Sequence, residues 1–263
     1  MSKTSVGIIA NPSAGKDIRR LVAHGRVVSN QEKSNVLRRV FAGINSTEVE
    51  QLVVMPDASG LSRPGLSDIN DGMEVVHLDM PPATHQGATT KASSLMAEMG
   101  VGCIVTLGGD GTNRVVAKGC GEVPILPIST GTNNVFPVLA EPTVAGMVAG
   151  LNATGKLDAA PGLKQRVKVL HVRSGERTDV GLIDVVLLSN DNVGNLLPFD
   201  AERIEQIYLT RAEPNSIGMS PIGGLLRPVY TEDDFGLLIN TGGTGPGVIA
   251  PLSPGLFRDV KVE

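Results

Sequence analysis

From Ile104 to Gly119 the chain reads IVTLGGDGTNRVVAKG: a β-branched apolar run, a glycine-rich turn, then a helical segment. A strand that passes through glycines directly into a helix is half of a parallel βαβ unit, and few architectures accommodate it. The same alternation surrounds it. SVGIIANP reads as a buried strand closed by Pro12, and SAGKDIRRLVAHG offers Ser13 as the cap of a helix to follow. QLVVMP and MEVVHLDMP are two further short strands. HQGATTKASSLMAEMG places Ala88, Ala92, Leu95, Met96 and Met99 on one helical face before Gly100 ends it, and VPILPI leads into a second small-residue turn. The prediction is an α/β, Rossmann-like parallel sheet. Its ligands would bind beyond the carboxyl ends of the strands, where the turns at Gly108 and Ser129 lie side by side.

After PTVAGMVAGLNATGK the composition changes, which sets a boundary near Gly155 to Gly162. Residues 1–157 form the expected α/β domain and residues 158–263 a β-rich second domain. RVKVLHVRSGERTDVGLIDVVLLSN reads as two strands around an SGE turn, DDFGLLINTGG as another, with a short helix around Asp200 to Gln206. NSIGMSPIGGLL reads either as a lid or as a bulged turn.

A hydrophobic content of 41% in 263 residues supplies a core without covalent staples, and Cys103 and Cys120 read as buried, reduced residues. A formal charge of −4, with no Trp, two Tyr and five Phe, argues against a nucleic-acid partner. No run approaches the roughly 18 to 20 apolar residues that span a bilayer, and the start lacks a secretory core, so a soluble, cytoplasmic protein without a membrane partner is expected. Four histidines without ligand spacing argue against a transition-metal site, and no GxSxG elbow is present.

ANPSAGKD is not a P-loop, because Ala10 and Asp17 occupy its required glycine and hydroxyl positions. Gly109-Asp110-Gly111 lacks the third glycine of a dinucleotide fingerprint, where Arg114 stands. GGDGT can nonetheless turn consecutive N–H groups toward a phosphate at a helix N-terminus. Asp110 then needs a purpose. It can face a divalent cation, or assist deprotonation of an acceptor hydroxyl; a plain turn residue is the alternative. In PISTGTNNVFP, Ser129, Thr130, Thr132, Asn133 and Asn134 can donate to ribose, phosphate or a polyol, although Thr130 or Thr132 can also serve only as a cap. Lys16, Arg19 and Arg20 read either as phosphate ligands or as a solvated helix face.

Taken in order, NPSAGKDIRRLVA, GGDGTNRVVAKG, PISTGTNNVFP, NSIGMSPIGGLLRPV and APLSPGL resemble the superfamily of NAD kinases, diacylglycerol and sphingosine kinases and phosphofructokinases. Within it they look most like the ATP-NAD kinase relatives called acetoin catabolism protein X. The resemblance implies an NAD-kinase-type α/β domain followed by a β-rich domain, with a site in the cleft between them. It implies ATP with Mg²⁺, and NAD or another hydroxylated small molecule as acceptor. By the same resemblance Asn11, Ser13, Gly108, Gly109, Gly111 and Thr112 match positions lining the ATP phosphates. Asp110 matches the motif aspartate near the reacting hydroxyl, as base or metal-linked carboxylate. Thr132, Asn133 and Asn134 align with a lipid-kinase turn and, with Thr130, are read as acceptor-binding.

Asn134 stands where that lipid-kinase turn has Asp, and the Asn-Glu pair of true NAD kinases has no clear counterpart. Relatives continue beyond APLSPGLFRDVKVE with further strands, so an incomplete second domain and a homo-oligomer covering its open edge are expected. The implied function is an ATP-dependent phosphotransferase. The alternatives are a non-catalytic nucleotide-binding accessory or regulatory protein of acetoin catabolism, and a lipid or polyol kinase.

Overall fold

Strand alternation sorts the residues of the first unit onto two faces. The computed structural model describes residues 3–16, 23–25, 27–69, 72–83, 85–130, 134–159, 162–191 and 200–263. The chain divides into one unit of Met1–Lys16, Val27–Gly131 and Pro137–Gln165, and a second of Asp17–Arg26, Thr132–Phe136 and Arg166–Glu263.

The first unit runs β1 (Ser5–Ala10), α1 (Asn30–Asn45), β2 (Gln51–Val54), α2 (Arg63–Leu66), β3 (Glu74–His77), α3 (Gln86–Glu98), β4 (Cys103–Gly108), α4 (Asp110–Ala117), β5 (Ile125–Ser129) and α5 (Pro142–Ala153). Its five strands pair in parallel in the order β3-β2-β1-β4-β5. Val6, Ile8 and Ala10, with Cys103, Val105 and Leu107, join the cluster that holds Leu37, Val40, Phe41 and Ile44 of α1 and Ala145 and Ala149 of α5. Ile9 and Ile104 point the other way, to Ala92 and Met96 of α3 and Val116 of α4. The period of two in the strands thus builds a sheet covered on both faces.

Helix α1 is absent from the expectations above, although Ser29 caps it through Glu32 N and its apolar residues keep the i, i+3, i+4, i+7 spacing. It crosses α5 at glycines. A Cβ on Gly43 would run into Thr143 O, and one on Gly146 into Val40 O, so neither helix tolerates a side chain at the crossing. Gly100, at φ +73°, closes α3 in the expected left-handed conformation, while Met99 is an exposed cap residue and not part of the apolar face. Ser13 lies in a turn, and most of the helix expected after it falls on residues 17–22, outside the described residues.

The second unit contains β6 (Leu170–Ser174), β7 (Arg177–Gly181), β8 (Asp184–Leu188), β9 (Ile204–Leu209), α6 (Ser220–Gly224), β10 (Leu237–Asn240), β11 (Gly247–Ser253) and β12 (Leu256–Lys261). Its pairings are antiparallel: β10-β9-β8 as a sheet, with β6-β7 and β11-β12 as hairpins. Ile204, Ile207, Leu209, Ile222, Ile239, Ala250 and Val260 share its core. The segment read as two strands holds three, since LIDVVLLSN turns back after Gly181 to form β8. The helix expected around Asp200 to Gln206 is one 3-10 turn, Ala201–Arg203, running into β9. NSIGMSPIGGLL is neither lid nor bulge: it contains α6, with Ile222 fully buried. Among the described residues no helix is long and apolar enough to cross a membrane.

Candidate functional site

Three strands of the first unit, β1, β4 and β5, end together at the carboxyl edge of the sheet, because all are parallel and adjacent. Asn11 follows β1 and its N–H donates to Leu107 O at 2.9 Å. Its side chain is used at both ends. Oδ1 accepts from Ser13 N at 2.9 Å, forming an Asx turn, and Nδ2 donates to Thr112 Oγ1 at 2.9 Å. Gly108 ends β4 in register with Ser129 of β5, and Thr130 N donates to Gly108 O at 3.2 Å. The NPSAGK loop, the GGDGT turn and the start of the STGTNN turn are therefore neighbours, tied by the Asn11–Thr112 and Thr130–Gly108 hydrogen bonds.

The GGDGT turn is held rigid from behind by residues the sequence reading missed. Asn113 is fully buried; its Nδ2 and its backbone N–H both donate to Gly109 O, at 3.0 and 3.1 Å, and its Oδ1 accepts from Thr106 Oγ1 at 2.6 Å. Thr106 alternates onto this face of β4, so the strand's own period places the anchor. Gly108 is required here, since a Cβ on it would sit 2.5 Å from Thr112 Cβ and Oγ1. Gly111 is exposed with open space around it, and nothing in the fold demands glycine there. Gly109 precedes α4 as a cap without a side chain, and half-buried Asp110 is the first residue of that helix.

Thr130 is buried, 4% exposed, and among the described residues its Oγ1 has no hydrogen-bond partner. Ser13 is exposed and Asn134 half-buried, while Thr132 and Asn133 lie outside the described residues. The turn after β5 is closed at its neck: Ser129 N donates to Val138 O at 2.9 Å and Val138 N to Pro127 O at 3.3 Å. In the second unit, Arg211 Nη1 donates to Val135 O at 3.2 Å and pairs with Glu213 at 3.0 Å.

Beneath the NPSAGK loop lies a fully buried lysine. Lys33 of α1 donates from Nζ to Pro12 O at 2.7 Å, and its ammonium is pushed from 10.5 down to about 8, chiefly by burial and then by the charge of Lys16. In NQEKSNVL this residue reads as surface charge, and only the packing of α1 against the loop reveals otherwise. Among the described residues no group of three or more His, Cys, Asp and Glu side chains is placed to hold a metal ion.

The ATP-NAD kinase N-terminal domain family matches residues 6–156, and the acetoin catabolism protein X C-terminal domain family matches residues 160–263. Over 274 aligned positions the chain is 37% identical to Acetoin catabolism protein X of Cupriavidus necator, which covers 98% of this chain and 76% of that protein.

Proposed function

The chain belongs to the family in which an ATP-NAD kinase N-terminal domain is joined to an acetoin catabolism protein X C-terminal domain, and on that premise we propose that it is an ATP-dependent phosphotransferase acting on a hydroxyl of NAD or a related soluble acceptor. The observation that carries this reading is the meeting of Asn11, GGDGT and Thr130 at the ends of three adjacent parallel strands. Open parallel sheets bind ligands at that edge. Phosphates fit the residues present: the head of α4 supplies N–H groups, and Gly111 leaves room for backbone approach. In this reading residues 1–157 carry the nucleotide, and residues 158–263 form the β-rich companion domain.

Asp110 acts at the reacting centre. It takes the proton of the acceptor hydroxyl as that oxygen bonds to the terminal phosphorus, while the bond from this phosphorus to the bridging oxygen breaks and ADP leaves. Asn11, through Thr112, and Asn113, through Gly109, hold the turn so that this carboxylate keeps its position. Thr130, with Thr132, Asn133 and Asn134, would orient the acceptor. Mg²⁺ brought with the nucleotide would neutralise phosphate charge, and Asp110 is the one carboxylate within the GGDGT turn.

The test is ADP release from ATP and Mg²⁺ with NAD and a panel of polyols. Asp110→Asn should abolish turnover and leave ATP affinity within about twofold; retained turnover would remove the role. A second reading is favoured by the relative's name, which gives a pathway without a chemistry: an accessory nucleotide-binding protein of acetoin catabolism. ATP binding without turnover on any acceptor would select it.

A further inference from the structure

Lys33 is fully buried, and among the described residues its ammonium meets one carbonyl, Pro12 O at 2.7 Å, and no carboxylate. Removing an unpaired ammonium from water is expensive, and folds normally answer it with an acid. On the elements packed against α1 the acids pair with arginines: Asp68, after α2, with Arg38 at 2.7 Å, and Glu141, at the head of α5, with Arg39 at 3.7 Å. The charge that bears on the titration of Lys33 is Lys16, which worsens the imbalance. A cation kept without a counter-ion under the loop between Asn11 and Lys16 implies that the missing negative charge arrives from outside.

We propose that Lys33 is a positioning residue and the buried counter-charge for an oxyanion, the phosphate tail of a nucleotide seated on the Asn11–Lys16 loop, so that binding there draws a proton onto Lys33. This rests on the nucleotide reading above. The argument is one of linkage. A group that titrates near 8 when the loop is empty takes up a proton when a polyanion raises its affinity for one, and reciprocally its protonation tightens the anion. A rise of one unit on ligation corresponds to roughly tenfold in affinity across the titration.

The experiment is calorimetry of ADP and ATP binding between pH 6.5 and 9.5 in buffers of different ionisation heat, with tripolyphosphate as a base-free probe. Wild type should take up a fraction of a proton near pH 8.5 and lose roughly tenfold in affinity by pH 9.5. Lys33→Met should bind several-fold more weakly at pH 7 and lose this uptake, and the probe's own protonation cancels in that comparison. Lys33→Arg should bind tightly without the pH dependence, and it decides the matter if the Met variant does not fold. Lys16→Met should move the fall in affinity to higher pH. Nucleotide binding without proton uptake, or with uptake unchanged in Lys33→Met, overturns the inference alone. Failure of both nucleotides to bind overturns the nucleotide reading; tripolyphosphate binding with uptake then preserves Lys33 as an oxyanion counter-charge, and its failure to bind ends both.

Discussion

Asn11 Nδ2 donates to Thr112 Oγ1 at 2.9 Å, joining two residues 101 positions apart in the chain. The bond makes the loop after β1 and the first turn of α4 one object. Thr112→Val keeps the shape and removes the acceptor. It should cost about 1 kcal/mol in urea unfolding and weaken ATP binding several-fold. If both measurements match wild type, the tie has no consequence for the site.

Gly108 and Gly111 should respond oppositely to alanine. At Gly108 the new Cβ lies 2.5 Å from Thr112, and the expected loss is about 1–3 kcal/mol, read as a lower melting temperature. At Gly111 the Cβ meets nothing within 4 Å, and alanine favours a helix, so stability should hold or rise slightly. ADP affinity should nevertheless fall at least tenfold in Gly111→Ala, because only a ligand needs that space. Wild-type affinity in this variant would exclude backbone approach there.

Lys33 ties stability to pH in a definite direction. Its pKa is about 8 in the folded chain and 10.5 when unfolded. Between those values the unfolded chain binds more protons, so stability rises with pH across that window, and below pH 8 the penalty stays constant at roughly 3 kcal/mol. Lys33→Met should therefore be more stable than wild type at pH 7, by about 1–2 kcal/mol once the lost bond to Pro12 O is subtracted. The difference should shrink toward pH 10. Urea midpoints of the two proteins measured over this range provide the check.

Neither cysteine should react in the native protein. Burial pushes the Cys103 thiol up to about 12 and raises that of Cys120, so little thiolate exists at pH 8. A colorimetric thiol reagent should find two groups after denaturation and essentially none before it.

Much of the first unit was legible because its strands are apolar runs broken by glycine and proline, and parallel order alone places the turns at Gly108 and Ser129 together. The second unit misled for a physical reason. Ile204 and Ile207 are spaced as on a helix, yet both are buried on strand β9. The register shift between Leu187 and Leu188, which pair with Gln206 and Ile204, reverses the alternation there and turns both isoleucines inward. A bulge of this kind leaves no mark in composition. Lys33 and Asn113 were illegible for a different reason: their polar side chains are buried by contacts that other segments supply, Pro12 and Thr106. Asn113 left one clue, its position four residues after Gly109, where it can bond back to that carbonyl.

The closed neck at Ser129 and Val138 bears on how such proteins diversify. Because Val138 returns to the strand end at Ser129, a change of sequence between them need not re-thread the sheet. In the proposed reading, selection would exchange one acceptor for another by rewriting a few codons there, while the loops assigned to the phosphate donor stay unchanged.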